Sequence, residues 1–263
     1  MKSRPDHGVL LISVDVAADS STLHNEATAA DTVAVIEATR WLLGVLDQCR
    51  LPAGWFLAGP GTSVLRSHIV NAGTRHEIGL LVVENGQSQA ARFEFSRNLD
   101  RRILAARAAG IEISSLATRE SKPIEHLDLL VKHGIRAVRQ CDRAGSGNRR
   151  SGWPAVANLR FGITSLPATL NASESAGWAS WMTGWDLRRQ IASAAERRQY
   201  CHLRLDIHSL VNARARKLLR STLRAAARRF DKPGCRIETI STLAESLMAR
   251  PIARSAQSIL RAA

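Results

Sequence analysis

The sequence predicts an α/β domain built on a parallel sheet, and three observations carry that reading. Short runs rich in Val, Ile and Leu, beginning with VLLISVDV at Val9 to Val16, have the length and composition of strands buried on both faces. They alternate with segments of helical spacing closed by glycines, the order expected of right-handed βαβ units. Late in the chain, YCHLRLDIHSL sets His202, Arg204, Asp206 and His208 on one face and Leu203, Leu205 and Ile207 on the other, which suits a barrel wall with a polar inner mouth. With 263 residues and 45% hydrophobic content, the expectation is one domain over residues 1–249 and a tail over 250–263.

The first strand is entered from a polar lead, Lys2 to Gly8, and ends on Asp15. Open parallel sheets and α/β barrels hold their chemistry at such strand ends. Asp15 therefore either anchors a site or caps the next segment by accepting from backbone N–H groups. A polar connection, Ala17 to Ala30, leads to DTVAVIEATRWLLGVLDQCR, a helix with a wide apolar face and Asp31 as its N-cap. Beyond Pro52, AGWFLAGP is a second strand, Thr62 to Asn71 a short helix closed at Gly73, and HEIGLLVVEN a third strand. Gln87 to Ala109 is helical and stops at Gly110, followed by the strand IEISSLAT. Ile124 to Lys132 is a helix closed at Gly134, and IRAVRQ is strand five.

Asp142 to Pro154 is rich in turn formers and reads as a loop. Trp178, Trp181 and Trp185 follow at helical spacing, either as a sugar-stacking platform or, more commonly for such a stripe, as core. Asp186 to Gln199 is helical. After the alternating strand, Ala213 to Phe230 forms a long helix with Leu219, Leu223, Ala226 or Ala227 and Phe230 on its apolar stripe; Arg216, Arg220, Arg224 and Arg228 lie on a solvated one. CRIETI is the last strand, and Ser241 to Met248 a closing helix.

Only five of the 37 basic residues are lysine, and the net charge of +14 suits phosphates, anionic sugars or acidic surfaces. Basic residues occur throughout, without a clustered arm or an aromatic-interleaved motif, so nucleic acid is an unlikely partner. The four cysteines form no CxxC pair, which argues against a zinc knuckle or a disulfide scaffold. No apolar run approaches the roughly 20 residues that cross a bilayer, and a signal segment is lacking, so a cytoplasmic, soluble protein is expected.

Taken in order, these segments resemble the polysaccharide deacetylases, the NodB-homology family of carbohydrate esterases. VLLISVDV is similar to that family's first strand, which ends in an Asp pair, AGWFLAGP to its A-T-x-F-F-V-T-G strand, and RHEIGLL to its G-H-E-I-G lead. IEISSLATRESKPIEHLDLLVKHGIRAVR resembles a strand, arginine loop and helix of a bacterial branch. CHLRLDIHSL resembles that branch's H-L-W-x-H-P-x-N-L strand, and RIETISTLAESL the last strand and helix. The resemblance implies a distorted (β/α) barrel of about seven parallel strands and removal of acetyl groups from sugars with a divalent metal, commonly zinc.

That chemistry needs a Lewis acid to polarise the carbonyl and acidify water, a carboxylate base, and an acid for the departing amine. By resemblance Asp15 matches the base and Arg119 the arginine that orients it, although a plain ion pair explains Arg119 equally well. Asp206, or His208 after a slip of two, matches the acid. The three metal-ligand positions fall on Val16, Leu81 and Asn85, and His76 matches the lead histidine, which is not a ligand. An isopropyl, an isobutyl and an amide group do not make a zinc site. Three readings follow: a barrel that has lost its metal and binds an N-acetylated glycan, a sugar precursor or a protein; a rebuilt site in which Asp15, Asp206, His208 and His202 converge on a divalent metal; and, favoured only by net charge, a basic protein whose target is nucleic acid or another polyanion. In the first, no cofactor is expected, and Arg204 or Arg119 neutralises the acids.

Overall fold

The computed structural model describes residues 7–16, 29–58, 63–72, 76–82, 89–119, 126–140, 156–172 and 180–249. The loop at 142–154, the tail from Arg250, Trp178 and Asn85 lie outside them. Among the described residues, ten strands form one curled sheet in the order β6-β7-β5-β4-β3-β2-β1-β9-β8, with β10 paired to the lower half of β1. Seven have three or more residues: β1 (Gly8–Val16), β2 (Gly54–Leu57), β3 (Glu77–Val82), β4 (Ser115–Thr118), β5 (Ala137–Arg139), β9 (Tyr200–Asp206) and β10 (Cys235–Glu238). All seven pair in parallel, as the distorted barrel requires.

The other three, β6 (Ala157–Asn158), β7 (Thr164–Ser165) and β8 (Leu170–Asn171), are two-residue strands that sequence reading missed. They bring the two ends of the sheet together. Leu166 N–H donates to Val138 O on β5, and three residues later Thr169 N–H donates to His202 O on β9. One short segment thus spans from β5 at one side of the sheet to β9 at the other.

The helices cover the outside: α1 (Ala29–Gln48), α2 (Ser63–Asn71), α3 (Gln89–Ala108), α4 (Leu127–Lys132), α5 (Ser180–Glu196) and α6 (Ala213–Phe230). Strand periodicity divides the core accordingly. On β1, Leu10, Ile12, Val14 and Val16 join the outer core with Leu42, Leu46, Leu219 and Leu223. Val9 and Leu11 face inward to Phe56, Leu81, Ala117 and Tyr200. The last helix, α7 (Ile240–Ala249), sends Ile240, Leu243, Ala244 and Leu247 into that inner cluster and plugs the barrel floor.

Several expectations change in detail. Helix α1 begins at Ala29, so Asp31 lies within its first turn instead of capping it. Strand β9 stops at Asp206, because the Asp206 carboxylate accepts from His208 N–H at 3.0 Å and turns Ile207–Val211 into a 3-10 helix. Trp185 is 57% exposed, with Arg189 stacked over its ring, so at this position the tryptophan stripe is not core. Arg216 and Arg220 both lie 5.6 Å from the centre of the Trp41 ring; Arg216 is half-buried there, while Arg220, Arg224 and Arg228 are exposed as expected of a solvated face.

Candidate functional site

The inward-facing residues of β1 and β9 change from apolar to polar towards their C-terminal ends. Strands β1 and β9 are direct neighbours in register, with Ser13 opposite Arg204 and Asp15 opposite Asp206. The third contributor is Arg139, the last residue of β5. It is fully buried and lies across the barrel from β1, with its guanidinium 5.1 Å from the centre of the Phe56 ring.

Asp15 is 2% exposed and its carboxylate is held on both oxygens. Arg139 donates through Nη1 to Oδ1 at 2.5 Å and through Nη2 to Oδ2 at 2.9 Å, and Arg204 donates through Nε to Oδ2 at 2.7 Å. Burial alone would raise the Asp15 pKa; the two guanidiniums more than reverse this and hold it below the usual carboxylate value. Such a carboxylate stays ionised and is occupied by cations that cannot be deprotonated.

Below it, Ser13 joins two buried side chains. Its Oγ accepts from Arg139 Nη1 at 3.0 Å and lies 3.0 Å from His202 Nε2. His202 Nδ1 is 3.1 Å from the Leu166 carbonyl and 3.0 Å from the Tyr200 hydroxyl, which donates to Pro167 O. Burial, helped by the nearby charge of Arg139, pulls the His202 pKa down to about 3, so the ring is neutral. Its two nitrogens are engaged inside the wall, away from the mouth.

The remaining residues singled out from sequence sit at the rim. Arg119, just past β4, approaches Asp206 with Nη2 to Oδ2 at 3.6 Å, and both are partly exposed. His208 lies in the 3-10 turn, half-buried. The structure therefore places Asp15 with Arg139 and Arg204, and Asp206 with Arg119. Arg139 was not singled out from sequence, although it closes the stretch IEISSLATRESKPIEHLDLLVKHGIRAVR that carries part of the resemblance.

At the positions that would hold a metal by resemblance, Val16 points outward into the helix-facing core and Leu81 packs, fully buried, in the inner cluster. The carbonyls of Leu57 and Leu81 accept from Arg102 Nη2 on α3 at 2.5 and 3.0 Å, beside a cavity of about 90 Å³. Burial lowers the Arg102 pKa to about 10. Among the described residues, no three His, Cys, Asp or Glu side chains come together as a metal-binding group. Hydrocarbon side chains at the ligand positions, and a carboxylate already gripped by two guanidiniums, do not fit a divalent ion.

The H-E-I-G stretch serves the scaffold. Glu77 accepts from Ser115 Oγ at 2.8 Å and from Ser241 N–H at 2.9 Å, which fixes the first turn of α7 at the barrel floor. Gly79 lies under the Phe56 ring: a Cβ there would come within 2.5 Å of it. His76 packs edge-on against Trp55.

No family model and no curated protein matches the sequence. Solved structures do match. A Mycobacterium smegmatis protein classed with the polysaccharide deacetylases superposes with a TM-score of 0.71 at 18% identity, over 95% of this chain and 93% of that one. An allantoinase superposes with a TM-score of 0.64 at 11% identity, over 92% and 93%. A CE4 family pseudoenzyme from Bacillus anthracis gives 0.54 at 12% identity, over 92% of this chain and 67% of that one. The curled, mostly parallel sheet with its helical jacket is thus the fold of the polysaccharide deacetylases, a fold that an allantoinase and a CE4 pseudoenzyme also carry.

Proposed function

We propose that this chain is a deacetylase-fold protein without the usual metal site, which binds a glycan at the barrel mouth and does not hydrolyse it. The observation that carries the reading is the double grip on Asp15. A general base needs a free lone pair aimed at water, and a metal ligand needs an oxygen aimed at the ion. Arg139 and Arg204 take both oxygens of Asp15, and Val16 and Leu81 bring no donor in their place. A CE4 pseudoenzyme with the same fold supports the idea that this scaffold is also used without catalysis. The glycan is assigned by the fold's association with acetylated sugars, and the rim pair Arg119 and Asp206 offers it hydrogen-bonding groups.

The test is metal content and turnover on the same preparation. Protein incubated with zinc and desalted should retain far less than one equivalent, and N-acetylated chito-oligosaccharides should release no acetate above a blank. Saturable binding of those oligosaccharides, weakened by Arg119→Ala, is the positive arm. A stoichiometric divalent ion that Asp15→Ala abolishes, together with acetate release, would overturn the proposal in favour of a rebuilt catalytic site.

A further inference from the structure

Read along the chain, the basic residues are dispersed, but the fold gathers most of the excess charge on one outer face. Residues 186–236 contain fourteen Arg or Lys and four Asp or Glu, so ten of the fourteen net positive charges fall in about a fifth of the chain. Most of them belong to α5, the turn after it, and α6. These helices pack side by side, with Arg188 Nη1 3.5 Å from Ser221 Oγ and Arg229 Nη1 donating to Glu196 Oε1 at 3.1 Å.

Helix α6 has seven basic residues and no acidic one. Its apolar stripe, Leu219, Leu223, Ala226 and Phe230, is buried, which leaves Arg214, Lys217, Arg220, Arg224, Arg228 and Arg229 exposed. The neighbouring face adds exposed Arg189, Arg197 and Arg198, and Trp185, over whose ring Arg189 lies at 5.5 Å. One turn and a little more separates successive arginines in the 220, 224, 228 series, so guanidiniums repeat about every 6 Å along the axis. The row from Arg214 to Arg228 is about 21 Å long.

We propose that the outer face of α5 and α6 is a docking surface for the phosphodiester backbone of nucleic acid, separate from the barrel mouth and independent of what the mouth binds. A row of planar, permanently charged guanidiniums matches a regular line of phosphates, and duplex DNA presents about one charge per 1.7 Å of axis. The buried apolar stripe leaves α6 little to insert into a bilayer, which favours a soluble polymer over a lipid surface. The exposed Trp185 ring beside Arg189 is of the kind on which an unpaired base stacks. The contacts that α5 and α6 offer are to the backbone, so recognition is sequence-independent.

The experiment is fluorescence anisotropy of the full chain with a labelled 20-base-pair DNA duplex between 50 and 200 mM NaCl. About five phosphates neutralised should give a slope of log K against log salt near −4.5. The variant R220E/R224E/R228E should weaken binding at least tenfold at 50 mM salt and flatten the slope by about 2.7. R220Q/R224Q/R228Q should flatten it similarly, and circular dichroism checks that each variant is folded. R97E/R101E/R107E on α3 removes the same charge from another exposed face and should retain most of the affinity. No binding at 50 mM salt, an equal loss in the α3 variant, or tighter binding of polygalacturonate or phosphatidylserine vesicles than of DNA would each overturn the assignment.

Discussion

Two Asp–Arg pairs in this molecule have nearly the same geometry and opposite surroundings. Arg139 and Asp15 meet through two hydrogen bonds of 2.5 and 2.9 Å, and Arg92 and Asp128 through two of 3.2 and 2.5 Å. The first pair is 0% and 2% exposed, the second 49% and 46%. Desolvated charges cannot be rescued by water when a partner is lost, whereas exposed ones exchange protein for solvent at little cost. Geometry alone therefore says little about energy. The buried cluster, with Arg204 as its second cation, is therefore the costlier of the two to break.

The largest effect should come from Asp15→Ala, which strands Arg139 and Arg204 inside the barrel. Breaking a buried pair by removing one partner costs about 3–5 kcal/mol, to be read from urea unfolding at neutral pH. Adding Arg139→Met should restore part of the loss, since the fully buried one of the two stranded cations is then gone, leaving only Arg204 at 13% exposure, and Phe56, Leu81 and Ala117 line the space. A loss below about 1 kcal/mol for the single variant would mean that water reaches the cluster.

The next effect is pH dependence below neutrality, and its sign follows from His202. Its folded pKa of about 3 lies below the ordinary value of 6.5, so the unfolded chain binds a proton that the folded chain refuses. Stability is complete above pH 6.5 and falls as pH drops, by about 1.4 kcal/mol per unit once the unfolded histidine is fully charged. Asp15 acts in the same direction in a lower window: its depressed pKa gives stability present above the ordinary carboxylate value, near 3.8, and lost as pH falls through the folded one. Unfolding measured at pH 7, 6, 5 and 4 isolates the histidine. His202→Gln should lose most of the slope in that range, and an unchanged slope would refute the assignment.

Gly79→Ala tests the apolar side of the same wall. The new Cβ would lie 2.5 Å from the Phe56 ring and 2.8 Å from Ser115 Oγ, both on neighbouring strands. Overpacking of this kind costs about 1–3 kcal/mol, and Phe56→Leu in the same chain should relieve part of it. Equal stability of Gly79→Ala and wild type would show that the ring moves freely.

What could be read from the amino acids follows the same division between repeated and singular features. Helix α6 has the bounds its periodicity predicts, Ala213 to Phe230, because eighteen residues repeat one pattern. The alternation of YCHLRLD placed Arg204 and Asp206 on one face, and in the fold that face looks into the barrel. Arg139 escaped notice because a three-residue strand has no period to reveal which way its side chain points, and its partner is 124 residues away. Two-residue strands such as β7 and β8 carry no pattern at all; their edge hydrogen bonds exist only once β5 and β9 are in place. His208 could be read as a continuation of β9, since nothing in IHSL interrupts alternation and only the Asp206 cap ends the strand.

The smallest effect belongs to the exposed pair, and it sharpens the contrast most directly. Arg92 and Asp128 link the start of α3 to α4, and Asp128 also lies in the first turn of α4, where a carboxylate meets free backbone N–H groups. The hydrogen bond from Arg92 lowers the Asp128 pKa, just as Arg139 and Arg204 lower that of Asp15, so the two carboxylates shift in the same direction. Their consequences should nevertheless differ in kind. Asp128→Ala should leave unfolding at neutral pH close to wild type, and what difference remains should vanish in 0.5 M salt, because both charges stay hydrated when separated. Asp15→Ala should be as damaging in salt as without it, since counterions do not enter the barrel. Matching salt responses in the two variants would mean that burial does not separate these pairs after all.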